Sequence, residues 1–154
     1  MVNFNQLLDK KMDDIERPLN IPVGTYRCQV KKPAAISNSN DGKWEIVDFP
    51  LQLIEAIDGV SDEDLAAYGK LGPHSVVNRK FMFNTEDEAA QNRTLFDMKR
   101  FLVDHLKCGT EDMSLKESIN GAMGAQCLVF VKWTADKNDP EIQYANAAKT
   151  APLD

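Results

Sequence analysis

Alternating apolar and polar positions predict five β-strands. In VGTYRCQVKKP the side chains of Tyr26, Cys28 and Val30 face one way and the intervening polar side chains face the other, which predicts a first strand over about residues 24–32. The second predicted strand is KWEIVDFPLQLIEAI, in which Pro50 indicates a bulge or an edge position. The third, fourth and fifth are SVVNRKFMFN, AQCLVFVKW and EIQYANAA, and the fourth is apolar on both faces, as in a central strand.

Apolar spacings of three and four predict the helices. Residues 3–16 are expected to form an amphipathic helix whose apolar face consists of Phe4, Leu7, Leu8, Met12 and Ile15. The clearest helix lies in NTEDEAAQNRTLFDMKRFLVDHLKCG, with a capping box between Thr85 and Glu88 and a stop at Gly109. A short helix is predicted to begin at Ser114, and DGVSDEDLAAYGKLGPH is predicted to be an acidic loop with one helical turn.

The order of these elements predicts a mostly β fold with helices. Five strands with the main helix between the third and the fourth match a five-stranded Greek-key barrel, the OB-fold. A twisted sheet with one helical layer is the alternative. The expected organisation is an N-terminal amphipathic helix at 1–20, an OB-fold domain at 21–150 and a short tail at 151–154.

The composition narrows the class of protein. A chain of 154 residues that is 43% hydrophobic and 27% charged suits one folded domain. No apolar run is long enough to span a membrane, and the acidic N-terminus lacks the apolar region of a secretory signal, so a soluble, cytoplasmic protein is expected. Three scattered cysteines and two isolated histidines indicate no disulfide framework, no zinc site and no cofactor, and Cys28 and Cys127 are expected in the core.

Charge is distributed unevenly along the chain. The net charge of −6, taken alone, disfavours a nucleic-acid binder. Yet segments 21–33, 75–84 and 121–133 contain lysine or arginine and no acid, and of the first four predicted strands only the segment 43–56 is negative. The basic strands and acidic helices and loops therefore suggest a local surface for a polyanion.

Enzyme motifs are missing from the sequence. It contains no phosphate-binding loop, dinucleotide fingerprint, zinc-protease motif or serine-hydrolase elbow. Acid pairs such as Asp62 with Asp64 and Glu86 with Glu88 lie in polar segments. The prediction is a protein without catalytic activity, and a magnesium-dependent nuclease or hydrolase built on clustered acids is the alternative.

Basic and aromatic side chains are interleaved on several predicted strands. Cations that follow phosphates and rings that stack on bases are the means by which proteins hold single-stranded nucleic acid. The cations expected to contact phosphates are Arg27, Lys31, Lys43, Arg79, Lys80 and Lys132. The rings expected to stack on bases are Trp44, Phe83 and Tyr144. Both faces of the third strand carry apolar residues, so the pattern leaves open whether Arg79 and Phe83 or Lys80 face outward.

The motifs IPVGTYRCQVKKP, KWEIVDFPLQLIEA, NRKFMFN, SLKESINGAMGAQCLVFVKW and IQYANAA resemble those of small single-stranded DNA-binding proteins encoded by bacteriophages. The resemblance covers about residues 20–150. It implies an OB-fold that coats single-stranded DNA in phage replication or recombination, in the cytoplasm of the infected bacterium. Replication or recombination proteins and further copies of the chain are the other partners it implies. The chain departs from the family at its end, because KTAPLD contains one acid where many members have an acidic recruiting tail.

The expected function is thus sequence-tolerant binding of single-stranded DNA. The alternative from another class is a virion or assembly protein whose N-terminal helix packs against a partner.

Overall fold

Six strands form one antiparallel sheet in the computed structural model, which describes residues 3–15 and 19–153. The strands are β1 (Gly24–Val30), β2 (Ala35–Asn38), β3 (Trp44–Asp58), β4 (Val76–Asn84), β5 (Gln126–Ala135) and β6 (Gln143–Ala151). The helices are α1 (Phe4–Leu8), α2 (Asp62–Tyr68), α3 (Glu88–Lys99) and α4 (Leu115–Asn120). A 3₁₀ turn (Met12–Asp14) follows α1, and a π-helical segment (Arg100–His105) continues α3. No helix within the described ranges is long and apolar enough to cross a membrane.

The long strand β3 organises the sheet. Its C-terminal half pairs with β1, where Leu51 lies opposite Val30, and its N-terminal half pairs with β2. On its other side it pairs with β4, where Leu51 lies opposite Val77. Because β5 pairs with β1 and β6 with β5, β4 and β6 lie at the two ends of the sheet.

The core lies on one face of this sheet and is covered by α3 and the π-helical segment. Tyr26, Cys28 and Val30 are buried, which confirms the face assigned to the first strand. The ring of Phe101, from the π-helical segment, lies 5.1 Å from the ring of Phe49 on β3. Cys28 and Cys127 are directly opposite each other and buried, with 3.6 Å between their sulfur atoms, and the expected core position of both is confirmed. A hydrogen bond between the two thiols and burial raise the pKa of Cys127.

The residues of the motif IPVGTY, which leads into β1, form specific contacts with other parts of the fold. The Tyr26 hydroxyl donates a hydrogen bond of 2.6 Å to the Pro22 carbonyl, and burial raises the pKa of Tyr26 to about 12. The indole N–H of Trp133 donates a bond of 2.7 Å to the Ile21 carbonyl. Gly24 has φ +145°, and a Cβ there would clash with Val60 Cγ2. The motif therefore joins the start of β1 to β5 and to the chain that follows β3.

The predicted five-stranded barrel differs from the observed sheet. The loop expected between the first two strands contains an additional strand, β2, and the last strand extends through Ala151 into the expected tail. In the described part of the chain no ladder joins β4 to β6, so the sheet is not closed into a barrel. The coarser prediction, a mostly β protein with helices, is confirmed.

The helices also differ from expectation. The helix expected over 3–16 is reduced to α1 and a 3₁₀ turn, with Phe4 and Met12 exposed, and residue 16 lies outside the described ranges. The cap of α3 is Asp87, whose carboxylate accepts a bond of 3.1 Å from the Ala90 N–H, because the hydroxyl of Thr85 instead donates to the hairpin carbonyls of 42 and 43. The cap at Ser114 is confirmed, since its hydroxyl accepts from the backbone N–H three residues on.

Candidate nucleic-acid interface

The unpaired edges of β4 and β6 face each other across a cleft of about 280 Å³, called here the seam cleft. Its walls are residues 76–80 of β4 and 145–147 of β6. No acid lines this cleft among the described residues; its charged and amide side chains are Arg79, Lys80, Asn78 and Asn146. The cleft therefore combines two cations with donors and acceptors of hydrogen bonds.

The register of β4 decides which way its cations face. Val77 and Phe81 are buried, and Arg79 lies between them on the inner face, opposite Phe49. Lys80 is exposed on the outer face, opposite Asp48. Burial raises the pKa of Asp48, and the nearby Lys80 opposes that shift. The two neighbouring cations thus approach the seam cleft from opposite faces of the strand.

Arg79 is a half-buried cation with incomplete hydrogen bonding. Its guanidinium carbon lies 4.3 Å from the centroid of the Phe81 ring, and its Nη1 donates a bond of 3.2 Å to the Lys80 carbonyl. Its Nε is buried and has no hydrogen-bond acceptor among the described residues. Burial lowers the pKa of Arg79, and the charge of Asp97 opposes that shift. A buried donor of this kind lacks an acceptor that a bound anion would supply.

The outer face continues from the seam cleft onto β5 and β6. Lys132 is exposed and lies opposite Asn146. Tyr144, two residues before Asn146 and hence on the same face of β6, is 51% exposed. Its hydroxyl donates a bond of 2.7 Å to Asp136. The backbone N–H of Asn138 and then this hydroxyl lower the pKa of Asp136.

In the other direction the outer face leads along β3 and β4 to the hairpin end. Trp44 lies opposite Asn84, four residues from Lys80, a separation of roughly 13 Å along a strand. Trp44 is half-buried, and the preceding Lys43 is exposed. We call the set Lys132, Tyr144, Asn146, Lys80, Lys43 and Trp44 the outer track.

Three of the candidate residues lie away from the seam cleft and the outer track. Arg27 is on the outer face of β1, where its Nε forms a salt bridge of 3.0 Å with Glu55 and its Nη1 donates to Gln126. Lys31 is exposed just past the end of β1. Phe83 faces inward and packs half-buried against the core. The charge of Arg27 is therefore already matched by a carboxylate.

A second cleft, of about 300 Å³, adjoins the seam cleft at Arg79 and was not anticipated from the sequence. We call it the inner cleft, and it is lined by Arg79, Asp97, Arg100, His105, Ala148, Lys149 and Thr150. Nothing in the local pattern marks these residues, because Arg100 lies within the long predicted helix and Lys149 follows the predicted fifth strand. Only the folding of α3 and β6 against β4 brings them together.

The described residues contain no cluster of three or more His, Cys, Asp or Glu side chains able to hold a metal ion.

Comparison with known proteins adds no identity: no protein-family model matches the chain, and no curated protein matches it.

Proposed function

We propose that this protein binds single-stranded DNA without sequence preference, along the outer track and the seam cleft. The observation that carries the proposal is the seam cleft itself, where Arg79 and Lys80 meet Asn146 in an open gap between two strand edges. Cations hold the phosphates of a strand, and amides and rings contact its bases. A flexible single strand can enter a gap between two strand edges, whereas a duplex is stiff.

The charge distribution supports the same proposal. The whole chain has a net charge of −6, yet no acid lines the seam cleft among the described residues. Local positive potential attracts a nearby strand, while the acidic remainder disfavours indiscriminate binding to long polyanions. Lys132 and Lys80 supply the exposed charge, and Tyr144 supplies an exposed ring.

The strand order is compatible with an OB-fold, which we propose as the finer description. Such folds are partly open Greek-key barrels. Here β4 and β6 lie at opposite ends of the sheet yet face each other, with α3 between β4 and β5 in the chain. Together with the sequence resemblance, this supports a phage-type role in DNA replication or recombination.

Fluorescence anisotropy with a labelled dT oligonucleotide of about 20 nucleotides tests the proposal. We expect binding that weakens steeply with salt, with a logarithmic slope of about −0.7 for each phosphate neutralised. In the variant that combines Lys80→Gln with Lys132→Gln, the slope should become shallower by about 1.4 and the affinity should fall. Undetectable or salt-independent binding at micromolar protein would reject the proposal.

Lys116→Gln is the matched control for the single variants Lys80→Gln and Lys132→Gln, which are measured beside the double variant. Lys116 is an exposed lysine on α4, outside the outer track and both clefts. The substitution Lys116→Gln removes one positive charge, as each single variant of a track lysine does. If it weakens binding as much as either track lysine does, the attraction reflects overall charge and the proposed path is wrong.

A second candidate function rests on the N-terminal segment. Its apolar residues are exposed in the structure: Phe4, Leu7, Leu8, Met12 and Ile15. A surface of this kind favours assembly with a partner. Removal of residues 1–18 separates the two functions, since a DNA binder should keep its affinity for dT and an assembly protein should lose its oligomeric or partner-bound state.

A further inference from the structure

The inner cleft gathers cations from three elements. Arg79 comes from β4, Arg100 from the π-helical segment and Lys149 from β6, and Asp97 is the one acid that lines the cleft among the described residues. None of these three cations forms a salt bridge within the described ranges. Positive charge is thus concentrated in a cleft without a matching number of carboxylates.

Two further observations indicate that an anion is the missing partner. The Nε of Arg79 is buried without an acceptor. The pKa of His105 is lowered, by burial first and then by the charge of Arg100, with Asp104 opposing and Arg79 adding to the shift. This agrees with an excess of positive potential in the cleft. The His105 ring is held in place by a bond of 2.7 Å between its Nδ1 and the Thr150 hydroxyl.

A purely structural role explains the buried donor of Arg79 poorly, whereas Arg100 and Lys149 are exposed. Burying a cation without an acceptor costs free energy, and placing others beside it adds repulsion. The aromatic contacts, Arg79 over Phe81 at 4.3 Å and Lys149 at 5.5 Å from the Phe130 ring centroid, hold two of the side chains but do not neutralise them. A tetrahedral oxyanion would both neutralise the cleft and accept from the free guanidinium N–H.

We propose that the inner cleft is a phosphate-binding site, in which Arg79 and Arg100 donate charge-assisted hydrogen bonds to one phosphate group and Lys149 lines the cleft with its ammonium turned towards the Phe130 ring. The phosphate belongs either to a nucleic-acid strand that enters from the seam cleft or to a small free phosphate. This inference goes beyond the proposed function, because a phosphate can occupy the inner cleft whether or not a strand lies on the outer track.

NMR titration of the full chain with inorganic phosphate, at constant ionic strength against chloride, tests the site directly. The Arg79 Nε–H signal and the backbone signals of Lys149 and Thr150 should shift and saturate together. In Arg100→Gln the apparent phosphate affinity should fall at least fivefold. Arg93→Gln is the matched control, since Arg93 is an exposed arginine of α3 that lines neither cleft, and it should leave the titration unchanged.

A dT oligonucleotide in phosphate-free buffer forms the second arm. If it moves the same three signals and Arg100→Gln weakens it, the phosphate is that of a strand; if only inorganic phosphate moves them, the site takes a free phosphate. Either result supports the site. Shifts that never saturate, or that Arg93→Gln reduces as much as Arg100→Gln does, overturn it. If dT does not bind the full chain but inorganic phosphate still shifts these signals, the proposed function is refuted and the phosphate site is supported.

Discussion

The guanidinium of Arg79 lies over the ring of Phe81, with 4.3 Å between the guanidinium carbon and the ring centroid. The two residues are neighbours on the inner face of β4, at the point where the seam cleft meets the inner cleft. The ring stabilises the cation and sets its direction. It does not supply the acceptor that Arg79 Nε lacks.

Replacing Arg79 with Met should therefore separate binding from stability. Methionine keeps the length and apolar contacts of the side chain and removes a charge whose burial is unfavourable, so the free energy of unfolding should stay within about 0.5 kcal/mol of the wild-type value or rise. The affinity for a dT oligonucleotide should fall about tenfold. Urea unfolding and fluorescence anisotropy measure the two quantities. A loss of stability above about 2 kcal/mol with unchanged affinity would identify Arg79 as a structural residue.

Tyr144 is the exposed ring of the outer track, and its removal should weaken binding through lost stacking. Stacking on one base contributes about 1–3 kcal/mol, so Tyr144→Ala should raise Kd for dT by about fivefold or more. Tyr144→Phe is the control, because it keeps the ring and removes the hydroxyl that donates to Asp136. Equal affinities for the Ala and Phe variants would show that the ring does not stack on a base.

Gly24 should be intolerant of any side chain. Its φ of +145° strains other residues, and a Cβ would clash with Val60 Cγ2 and lie 2.9 Å from the Gly59 carbonyl oxygen. Strain and overpacking together predict that Gly24→Ala lowers the free energy of unfolding by about 2–4 kcal/mol. Gly42, with φ +74° and no atom within 4 Å of its Cβ position, is the comparison, and Gly42→Ala should cost only about 1 kcal/mol. Urea unfolding of both variants measures the difference, and equal costs would contradict the close approach at Gly24.

Tyr26 should make stability depend on alkaline pH. Burial raises its pKa to about 12 in the folded chain, against about 10 when unfolded. Between these values the unfolded state has lost the proton and the folded state keeps it, so the contribution is complete below pH 10 and is lost as the pH rises towards 12. The loss amounts to about 3 kcal/mol at most.

The Tyr26→Phe variant isolates this effect from other alkaline titrations. At pH 8 it should be less stable than the wild type by about 1–2 kcal/mol, because the Pro22 carbonyl loses its buried donor. Urea unfolding at a series of pH values should show the two proteins converging above pH 10. A gap that stays constant up to pH 12 would mean that the hydroxyl titrates normally in the folded state.

Much of the fold follows from local pattern. The buried alternation of Tyr26, Cys28 and Val30, and the cap at Ser114, depend on residues close together in the chain, so periodicity predicts them. The prediction of a helix over 3–16 is wrong, because a local pattern does not show whether an apolar face will be packed. Its apolar side chains are exposed, and a short helix that is not packed against the core is marginal in water.

The candidate site, like the fold, could be predicted from the sequence only in part. The pattern along the chain establishes the kinds of side chain available: lysines and arginines on the strands, rings at strand ends, and an acidic remainder. The pattern left open which face of β4 points inward, because a shift of one residue exchanges the two faces. The inward face is the one that buries Val77 and Phe81, and Phe81 packs against Phe49 and Phe101. No local pattern predicts that β4 and β6 meet without pairing, or that Arg100 and Lys149 line one cleft with Arg79. Side chains distant in sequence come together only when the sheet curls and the helix packs on it.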